Sequence, residues 1–116
     1  MTEGRREKKN MKQITIIIPN YNGIKFIKEC LDSLLRQEQV TPDFHILVVD
    51  NGSTDGSLEL VKENFPQVAV IALPTNTGFC HAVNVGIEAA ETPYLILLNT
   101  DTTEGITFVS LLRRIR

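Results

Sequence analysis

The sequence has no long apolar stretch. No run in the 116 residues approaches the roughly 18 that a membrane-spanning helix requires, and the first run, 14–18, is too short for a secretory signal. The net charge of −2 gives no sign of a general polyanion-binding surface, so we expect no nucleic-acid partner. The length favours a single domain, and these features together predict a cytoplasmic protein.

Basic residues are unevenly distributed. Residues 1–13 contain five of them against two acidic residues and almost no apolar side chain. We therefore predict that residues 1–12 form a disordered basic leader ahead of a domain that spans 13–116. Such a leader would allow peripheral association with the inner face of the membrane. By contrast, residues 63–112 contain no Lys or Arg.

Cysteine is scarce. The two that are present, Cys30 and Cys80, do not have the spacing of a metal site. Both fall inside predicted helices, and we interpret both as core-type thiols of a protein in a reducing compartment.

Short apolar runs alternate with amphipathic segments along the chain. Runs rich in β-branched residues predict strands, and apolar residues at helical spacing predict packed helices. The predicted strands are 13–18, 44–49, 68–73 and 94–98, and the predicted helices are 24–37, 57–65, 78–91 and 104–115. This alternation indicates a three-layer α/β/α, Rossmann-like fold with a parallel sheet in the order 3-2-1-4. A crevice then opens between the first and fourth strands at their carboxyl ends.

A polar cluster follows each predicted strand. Because parallel strands end at the same edge of a sheet, the clusters share one rim. They are Pro19-Asn20-Tyr21-Asn22, Asp50-Asn51-Gly52-Ser53, Asn76-Thr77-Gly78 and Asn99-Thr100-Asp101. Each cluster alone could be a ligand site, but it could also be a turn or a helix cap. A hairpin at the second cluster is rejected because a helical pattern follows it. The presence of all four at one rim favours a ligand site.

Several well-known ligand motifs are absent. The sequence lacks the dinucleotide fingerprint G-x-G-x-x-G, the phosphate loop G-x-x-x-x-G-K-[ST], the nucleophile elbow and a Ser-His-Asp pattern. The third and fourth strands also offer a diphosphate no cationic side chain. Neutralisation of a diphosphate would then depend on a divalent metal ion, Mg²⁺ or Mn²⁺, with Asp101 as the natural oxygen ligand.

Four linked segments resemble the nucleotide-binding half of family 2 glycosyltransferases, which have the GT-A fold, and look most similar to the rhamnosyltransferase-like members. The segments are ITIIIPNYNG (14–23), ILVVDNGSTDGS (46–57), NTGFCHAVNVGI (76–87) and YLILLNTDT (94–102). Their order and spacing match across most of the chain. The resemblance implies a hexosyltransferase of polysaccharide biosynthesis that binds a UDP- or dTDP-linked sugar.

The resemblance also implies roles for individual residues. Residues matching Pro19, Asn20 and Tyr21 line the site of the base and ribose, with Asn22 and Asn51 beside them, and Asp50 matches an acid that hydrogen-bonds the base. The segment beside the donor corresponds to Asn76, Gly78 and Asn84. Asn99-Thr100-Asp101 matches the D-x-D motif, whose final Asp contacts the metal that bridges the diphosphate. Asn99 replaces the first Asp, which removes one charge.

The chain departs from the family pattern after this motif. Only 15 residues follow Asp101, and Glu104 is the only carboxylate among them. We therefore expect a GT-A fold that is incomplete at its carboxyl end and that forms the donor-binding half of an inverting glycosyltransferase. We expect its activity alone to be weak or absent, because the chain has no catalytic base. The alternative is a non-catalytic pseudoenzyme that forms homo-oligomers through the open edge of the fourth strand. A sugar nucleotidyltransferase is disfavoured because residues 20–23 contain no cation.

Overall fold

The computed structural model describes residues 13–40, 44–101 and 105–113. Strands and helices alternate through most of this length. The strands are β1 (Ile14–Asn20), β2 (Phe44–Asn51), β3 (Ala69–Leu73), β4 (Tyr94–Asp101) and β5 (Gly105–Arg113), and the helices are α1 (Ile27–Val40), α2 (Ser57–Asn64) and α3 (Phe79–Ala89). The predicted disordered leader lies outside the described residues.

Within the described chain, the strands form one sheet in the order β3-β2-β1-β4-β5. The pairs β1–β2, β1–β4 and β2–β3 are all parallel, so the predicted order 3-2-1-4 is confirmed. Apolar runs with few polar interruptions are typical of the strands of parallel sheets, which have helices on both faces, and for this reason the sequence pattern indicated a parallel sheet.

The predicted last helix at 104–115 is wrong, because Gly105–Arg113 forms β5, which pairs antiparallel with β4. Ile106, Thr107 and Val109 are β-branched and fit a strand better than a helix. β5 also covers the edge of β4 that we expected to be open. The prediction of a homo-oligomer therefore loses the structural feature on which it was based.

Three strands extend further than their apolar runs. β1 includes Asn20, β2 includes Asp50 and Asn51, and β4 reaches Asp101. Asn20 and Asp50 are directly opposite each other in the parallel ladder. The polar residues predicted to follow the strands thus occupy the last positions within them, where the ladder fixes their backbone.

The core consists of two apolar layers, one on each face of the sheet. One layer joins the sheet to α1 and α2 through residues such as Ile18, Leu31 and Val61. The other joins it to α3, where Ala82 is fully buried. Gly86 allows α3 to approach closely, since a Cβ at this position would be 2.7 Å from Ile17 Cγ2.

The two cysteines differ in environment. Cys30 is buried in α1, and burial raises the pKa of its thiol to about 11. Cys80 is exposed on the first turn of α3, so the prediction of a core-type thiol is wrong there. The spacing of apolar residues predicts a helix, but it does not determine which residues of the first turn pack against the sheet and which face solvent. In the described part of the chain, no helix combines the length and the apolar character needed to cross a membrane.

Candidate nucleotide-sugar site

Two consecutive residues at the end of β2 point to opposite faces of the sheet. Ile46 and Val48 contribute to the layer below α1 and α2, whereas Leu47 and Val49 contribute to the layer below α3. Because side chains alternate along a strand, Asp50 continues the first row and Asn51 the second. Each therefore meets a different loop, although they are neighbours in sequence.

Asp50 holds the loop that follows its own strand. Its carboxylate accepts hydrogen bonds from Asn20 Nδ2 at 2.9 Å, from the Ser53 backbone N–H at 2.9 Å and from Ser53 Oγ at 2.8 Å. The side chain is 0% exposed. The hydrogen bond between Asp50 and a base stays a prediction.

Asn20 connects the ends of β1 and β2, and its Nδ2 also donates to Ser57 Oγ at 2.9 Å. The hydroxyls of Ser53 and Ser57 donate to Asp50 and Asp55 respectively, so both oxygens are free to accept. This pattern requires the amide nitrogen of Asn20 to face the serines. Its Oδ1 is buried and has no hydrogen-bond partner within the described residues.

The loop after β1 is tied to the loop after β2. Asn22 has a positive φ of 54°, its backbone N–H donates to Ser53 Oγ at 2.9 Å, and its Oδ1 accepts from the Thr54 N–H at 2.8 Å. The Asp55 carboxylate accepts from the Ile24 N–H at 3.0 Å. Together with the hydrogen bonds of Asn20, these bonds fix the path of the chain on both sides of Tyr21, a residue that is 46% exposed.

Asp55 also organises the start of α2. Its Oδ1 accepts from the Ser57 N–H at 2.9 Å and from Ser57 Oγ at 2.6 Å. Desolvation raises the pKa of Asp55, but the hydrogen bonds from Ser57 and Ile24 outweigh it, so its pKa is lowered. The N-cap position of α2 is Gly56, and no side-chain hydrogen bond caps the helix there within the described residues. Asp55 therefore holds Ser57, the first residue of α2, from one position before the cap.

Asn51 holds the turn between β3 and α3. Its Nδ2 donates to Asn76 Oδ1 and to the Gly78 carbonyl oxygen, both at 3.1 Å. Its Oδ1 accepts from the Thr77 N–H at 2.9 Å and from Thr77 Oγ1 at 3.0 Å. The Gly78 N–H donates to Asn76 Oδ1 at 2.9 Å. We call residues 75–78, held in this way, the Asn51 turn.

Gly52 packs directly on this turn. A Cβ at Gly52 would be 2.6 Å from the Thr75 carbonyl carbon and 2.8 Å from Asn76 N, and its φ is +79°. Real Cβ atoms essentially never approach backbone so closely. Glycine at 52 therefore serves two purposes: it permits a left-handed backbone and it permits this contact.

Some predicted site residues face solvent and others do not. Asn76, Gly78 and Asn84 are exposed, Pro19 is buried and Asn99 is half-buried. Phe79 at the start of α3 is 47% exposed. This large apolar side chain at the same rim was not among the predicted site residues, although its place immediately after Gly78 is a signal for it.

The remaining predicted residues, Thr100 and Asp101, are the last two positions of β4. The register between β4 and β5 shifts between Asn99 and Thr100, and such irregularities often occur beside functional sites. In the ranges that the structure describes, no three or more His, Cys, Asp or Glu side chains are grouped to hold a metal ion. Asn and Asp carry the hard oxygen donors that Mg²⁺ and Mn²⁺ accept beside phosphates, so the residue types at 99 and 101 suit such an ion.

A groove of about 810 Å³ lies at the opposite end of the strands. Gln13, His45, Gln67 and Glu91 are among the residues that line it, and none of its described lining residues belongs to the predicted site. The polar rim and this groove are therefore separate features.

The family model for glycosyl transferase family 2 matches residues 15–104, which is most of the chain. The chain belongs to glycosyltransferase family 2. Except for Ile14, the match includes all four segments on which the resemblance was based, and it confirms the family. The rhamnosyltransferase-like assignment stays a prediction.

Several curated proteins are similar to this chain. A teichoic acid poly(glycerol phosphate) polymerase from Staphylococcus epidermidis is 38% identical over 95 residues, which are 78% of this chain and 13% of that protein. A poly(ribitol-phosphate) beta-glucosyltransferase from Bacillus spizizenii is 38% identical over 97 residues, or 80% of this chain and 15% of that protein. The chain thus spans only a small part of these relatives.

Two solved structures share the fold of this chain. S. aureus TarS 1-349 in complex with UDP-GlcNAc matches with a TM-score of 0.67 and 32% identity over 75% of this chain and 26% of that chain. A mannosyltransferase from Pyrobaculum calidifontis in complex with GDP-Man and Mn2+ matches with a TM-score of 0.65 and 27% identity over 79% of this chain and 28% of that chain. These matches confirm the Rossmann-like α/β fold of the GT-A type.

Proposed function

We propose that this chain binds a nucleoside-diphosphate sugar at the carboxyl rim of its sheet, as the donor-binding part of an inverting glycosyltransferase. The observation that carries the proposal is the joining of the strand-end loops at that rim. Asn20 and Asp50 link the loops after β1 and β2, and Asn51 links β2 to the Asn51 turn. Ligands of open α/β sheets bind at this edge.

The base and ribose are proposed to lie against the loop after β1, at Pro19, Asn20, Tyr21 and Asn22. The exposed ring of Tyr21 offers a flat apolar surface on which a base can stack. The loop carries this ring on a fixed path, since hydrogen bonds to Ser53, Thr54 and Asp55 hold the chain around it. Asp50 and Asn51 are also part of the proposed site, although their side chains are buried.

The sugar diphosphate is proposed to lie between the Asn51 turn and the end of β4. Asn76, Gly78 and Asn84 are exposed on one side, and Asn99-Thr100-Asp101 end β4 on the other. Asp101 would hold Mg²⁺ or Mn²⁺, whose charge would stabilise the departing diphosphate. The solved structure with GDP-Man and Mn2+ supports a divalent ion. Because residues 63–112 contain no Lys or Arg, such an ion would have to supply the positive charge that neutralises the diphosphate on this side of the site.

The nucleotide is proposed to be UDP or dTDP. The TarS complex with UDP-GlcNAc, at 32% identity, supports UDP. No residue of the chain is assigned to the base that would deprotonate an acceptor hydroxyl for attack at the anomeric carbon. We therefore expect donor binding with little or no turnover. The proposed location is the cytoplasm, at the inner face of the membrane if the basic residues of 1–12 bind anionic lipid.

Calorimetric titration of the full chain with UDP, dTDP and GDP, with and without Mn²⁺, tests the proposal. We expect UDP or dTDP to bind more tightly with Mn²⁺ present, and Asp101→Ala to remove that dependence on metal. Asp32→Ala is the control, because Asp32 lies on the solvent-facing side of α1, where its described partner is Lys28. The proposal is wrong if no nucleotide binds at millimolar concentration, or if binding ignores both the metal and Asp101.

The missing charge at Asn99 provides a second test in the opposite direction. Asn99→Asp places another carboxylate near a divalent ion, where one added charge is worth about 1–2 kcal/mol, or roughly five- to thirtyfold in affinity. We expect Mn²⁺ to bind more tightly in the presence of nucleotide. An unchanged Mn²⁺ affinity would place the ion away from this motif.

A further inference from the structure

We infer that Asn51 is a positioning residue of the donor site, which acts by fixing the Asn51 turn and does not contact the nucleotide sugar directly. The inference rests on the proposed function, because it concerns how the donor side of that rim is held. Nothing in the resemblance distinguishes a contact from a positioning role at this residue.

The hydrogen-bond inventory of Asn51 supports this role. A primary amide has two N–H donors and one oxygen with two lone pairs. Both N–H groups are used, on Asn76 Oδ1 and the Gly78 carbonyl oxygen, and the oxygen accepts twice from Thr77. The side chain is 4% exposed. Every polar group of Asn51 is therefore engaged with the turn.

The Asn51 turn carries residues of the proposed donor site and leads into the helix that carries another. Asn76 and Gly78 belong to the proposed site, and Gly78 immediately precedes α3, which carries Asn84. Gly78 has a φ of 94°, and no side-chain hydrogen bond caps the helix start within the described residues. The bonds from Asn51 thus set where this segment begins.

Aspartate at position 51 would not perform this role. It would keep the oxygen that accepts from Thr77 but place a second oxygen against Asn76 Oδ1 and the Gly78 carbonyl oxygen, 3.1 Å away from each. Oxygens that lack a proton between them repel, and the buried carboxylate would carry a charge. The substitution has the same shape as asparagine, so it changes the hydrogen bonding and charge but little else.

Gly52 provides an independent way to move the same turn. Gly52→Ala forces its Cβ against the Thr75 and Asn76 backbone. Gly56→Ala is a matched control, because Gly56 has a similar positive φ of +90° but no atom within 4 Å of a built Cβ. The two variants share the backbone strain and differ in the contact with the turn.

The experiment measures the turn and the ligand separately in the full chain. Amide NMR spectra and hydrogen exchange at Thr77 and Gly78, without ligand, report the turn. Calorimetric titration with Mn²⁺ and UDP, or dTDP if it binds more tightly, reports the site. Asn64→Asp, on the exposed last residue of α2, adds the same charge elsewhere and is the control for Asn51→Asp.

We expect Asn51→Asp and Gly52→Ala to shift the amides of 75–80, speed exchange at Thr77, and weaken nucleotide binding by roughly tenfold or more. The Asn64→Asp and Gly56→Ala chains should keep the affinity of the unaltered protein. If Asn51→Asp proves unfolded, Gly52→Ala and the milder Thr77→Val, which removes one hydroxyl bond to Asn51, make the same test.

Three results would overturn the inference. One is an altered turn with unchanged nucleotide affinity. Another is an unaltered turn with lost affinity, which would make Asn51 a direct contact. The third is an unaltered turn in both the Asn51→Asp and Gly52→Ala chains. If the unaltered protein binds no nucleotide, the proposed function fails instead, and the amide measurements still show whether Asn51 holds the turn.

Discussion

Asn20 and Asp50 are register partners at the carboxyl ends of two adjacent parallel strands, and their side chains share a hydrogen bond of 2.9 Å from Asn20 Nδ2 to Asp50 Oδ1. Both side chains are almost fully buried, at 1% and 0% exposed. The hydrogen bond that joins the ends of β1 and β2 therefore faces inward. They hold loops in place, and the exposed groups carried on those loops are left for a ligand.

Replacing Asp50 by asparagine tests how much this bond network stabilises the fold. The Oδ1 and Oδ2 atoms both accept hydrogen bonds, so an amide nitrogen at either position would face a donor. An unsatisfied buried group costs about 1–3 kcal/mol, and we expect Asp50→Asn to lower the free energy of unfolding by that amount in urea denaturation. Asp32→Asn removes an exposed i,i+4 ion pair and should cost under about 0.5 kcal/mol. Equal effects of the two substitutions would contradict the network.

Lowering the pH should weaken the loop contacts of Asp55. Its pKa in the folded chain lies below the ordinary value because Ser57 and Ile24 donate hydrogen bonds to the carboxylate. For a depressed pKa, the stabilisation is complete above the unfolded value, about 3.9, and is lost as the pH falls through the folded value. We expect the urea midpoint of the unaltered chain to fall more steeply below about pH 4 than that of Asp55→Asn. Parallel curves for the two proteins would show that Asp55 is not bonded in this way.

The parallel sheet could be predicted from the sequence because short apolar runs alternate with amphipathic helical segments, and right-handed crossovers leave few strand orders open. β5 was not predicted, because the apolar residues of its sequence, GITFVSLLR, are also compatible with a helix, and its β-branched residues favour a strand only weakly. The deciding factor is distant in the chain, because β4 has an edge beside which only a strand can complete the backbone hydrogen bonds. Pairing with β4 therefore decides the conformation of residues 105–113, and the local helix propensity of the segment does not.

The members of the site could be predicted, but the direction of their side chains could not. The polar clusters marked the correct rim, yet a linear pattern does not reveal that Asp50 and Asn51 engage different loops. That follows from strand alternation continuing one residue beyond the apolar run. Ser57 was assigned only to a helix, although its hydroxyl joins Asn20 to Asp55, because that contact spans 37 residues of sequence.

The two thiols should react at very different rates. Cys80 is exposed, whereas Cys30 is buried in α1 with its pKa raised to about 11, so little of the reactive thiolate forms near neutral pH. We expect a colorimetric disulfide reagent at pH 8 to modify Cys80 quickly and Cys30 only in denaturant. In the Cys80→Ser chain, no fast phase should remain. Fast modification of both cysteines in the native protein would mean that α1 is not packed as described.

The close contact between α3 and the sheet gives the most direct test of the core. Glycine to alanine inside a helix normally stabilises it by about 1 kcal/mol. At Gly86, however, the new Cβ would lie 2.7 Å from Ile17 Cγ2 and 3.2 Å from Val49 Cγ2, and neither γ-methyl can move without its backbone or a change of rotamer. We therefore expect Gly86→Ala to lower the free energy of unfolding by about 1–3 kcal/mol.

A double-mutant cycle separates this overlap from other effects of the substitution. Ile17→Ala removes the methyl group nearest to position 86, and alone it should cost about 2–5 kcal/mol as a cavity. In that background Gly86→Ala should cost much less or become stabilising, because the added methyl fills part of the space. Strictly additive free energies would show that α3 lies further from β1 than the structure indicates. Since α3 carries Asn84, that result would also move one side of the proposed donor site.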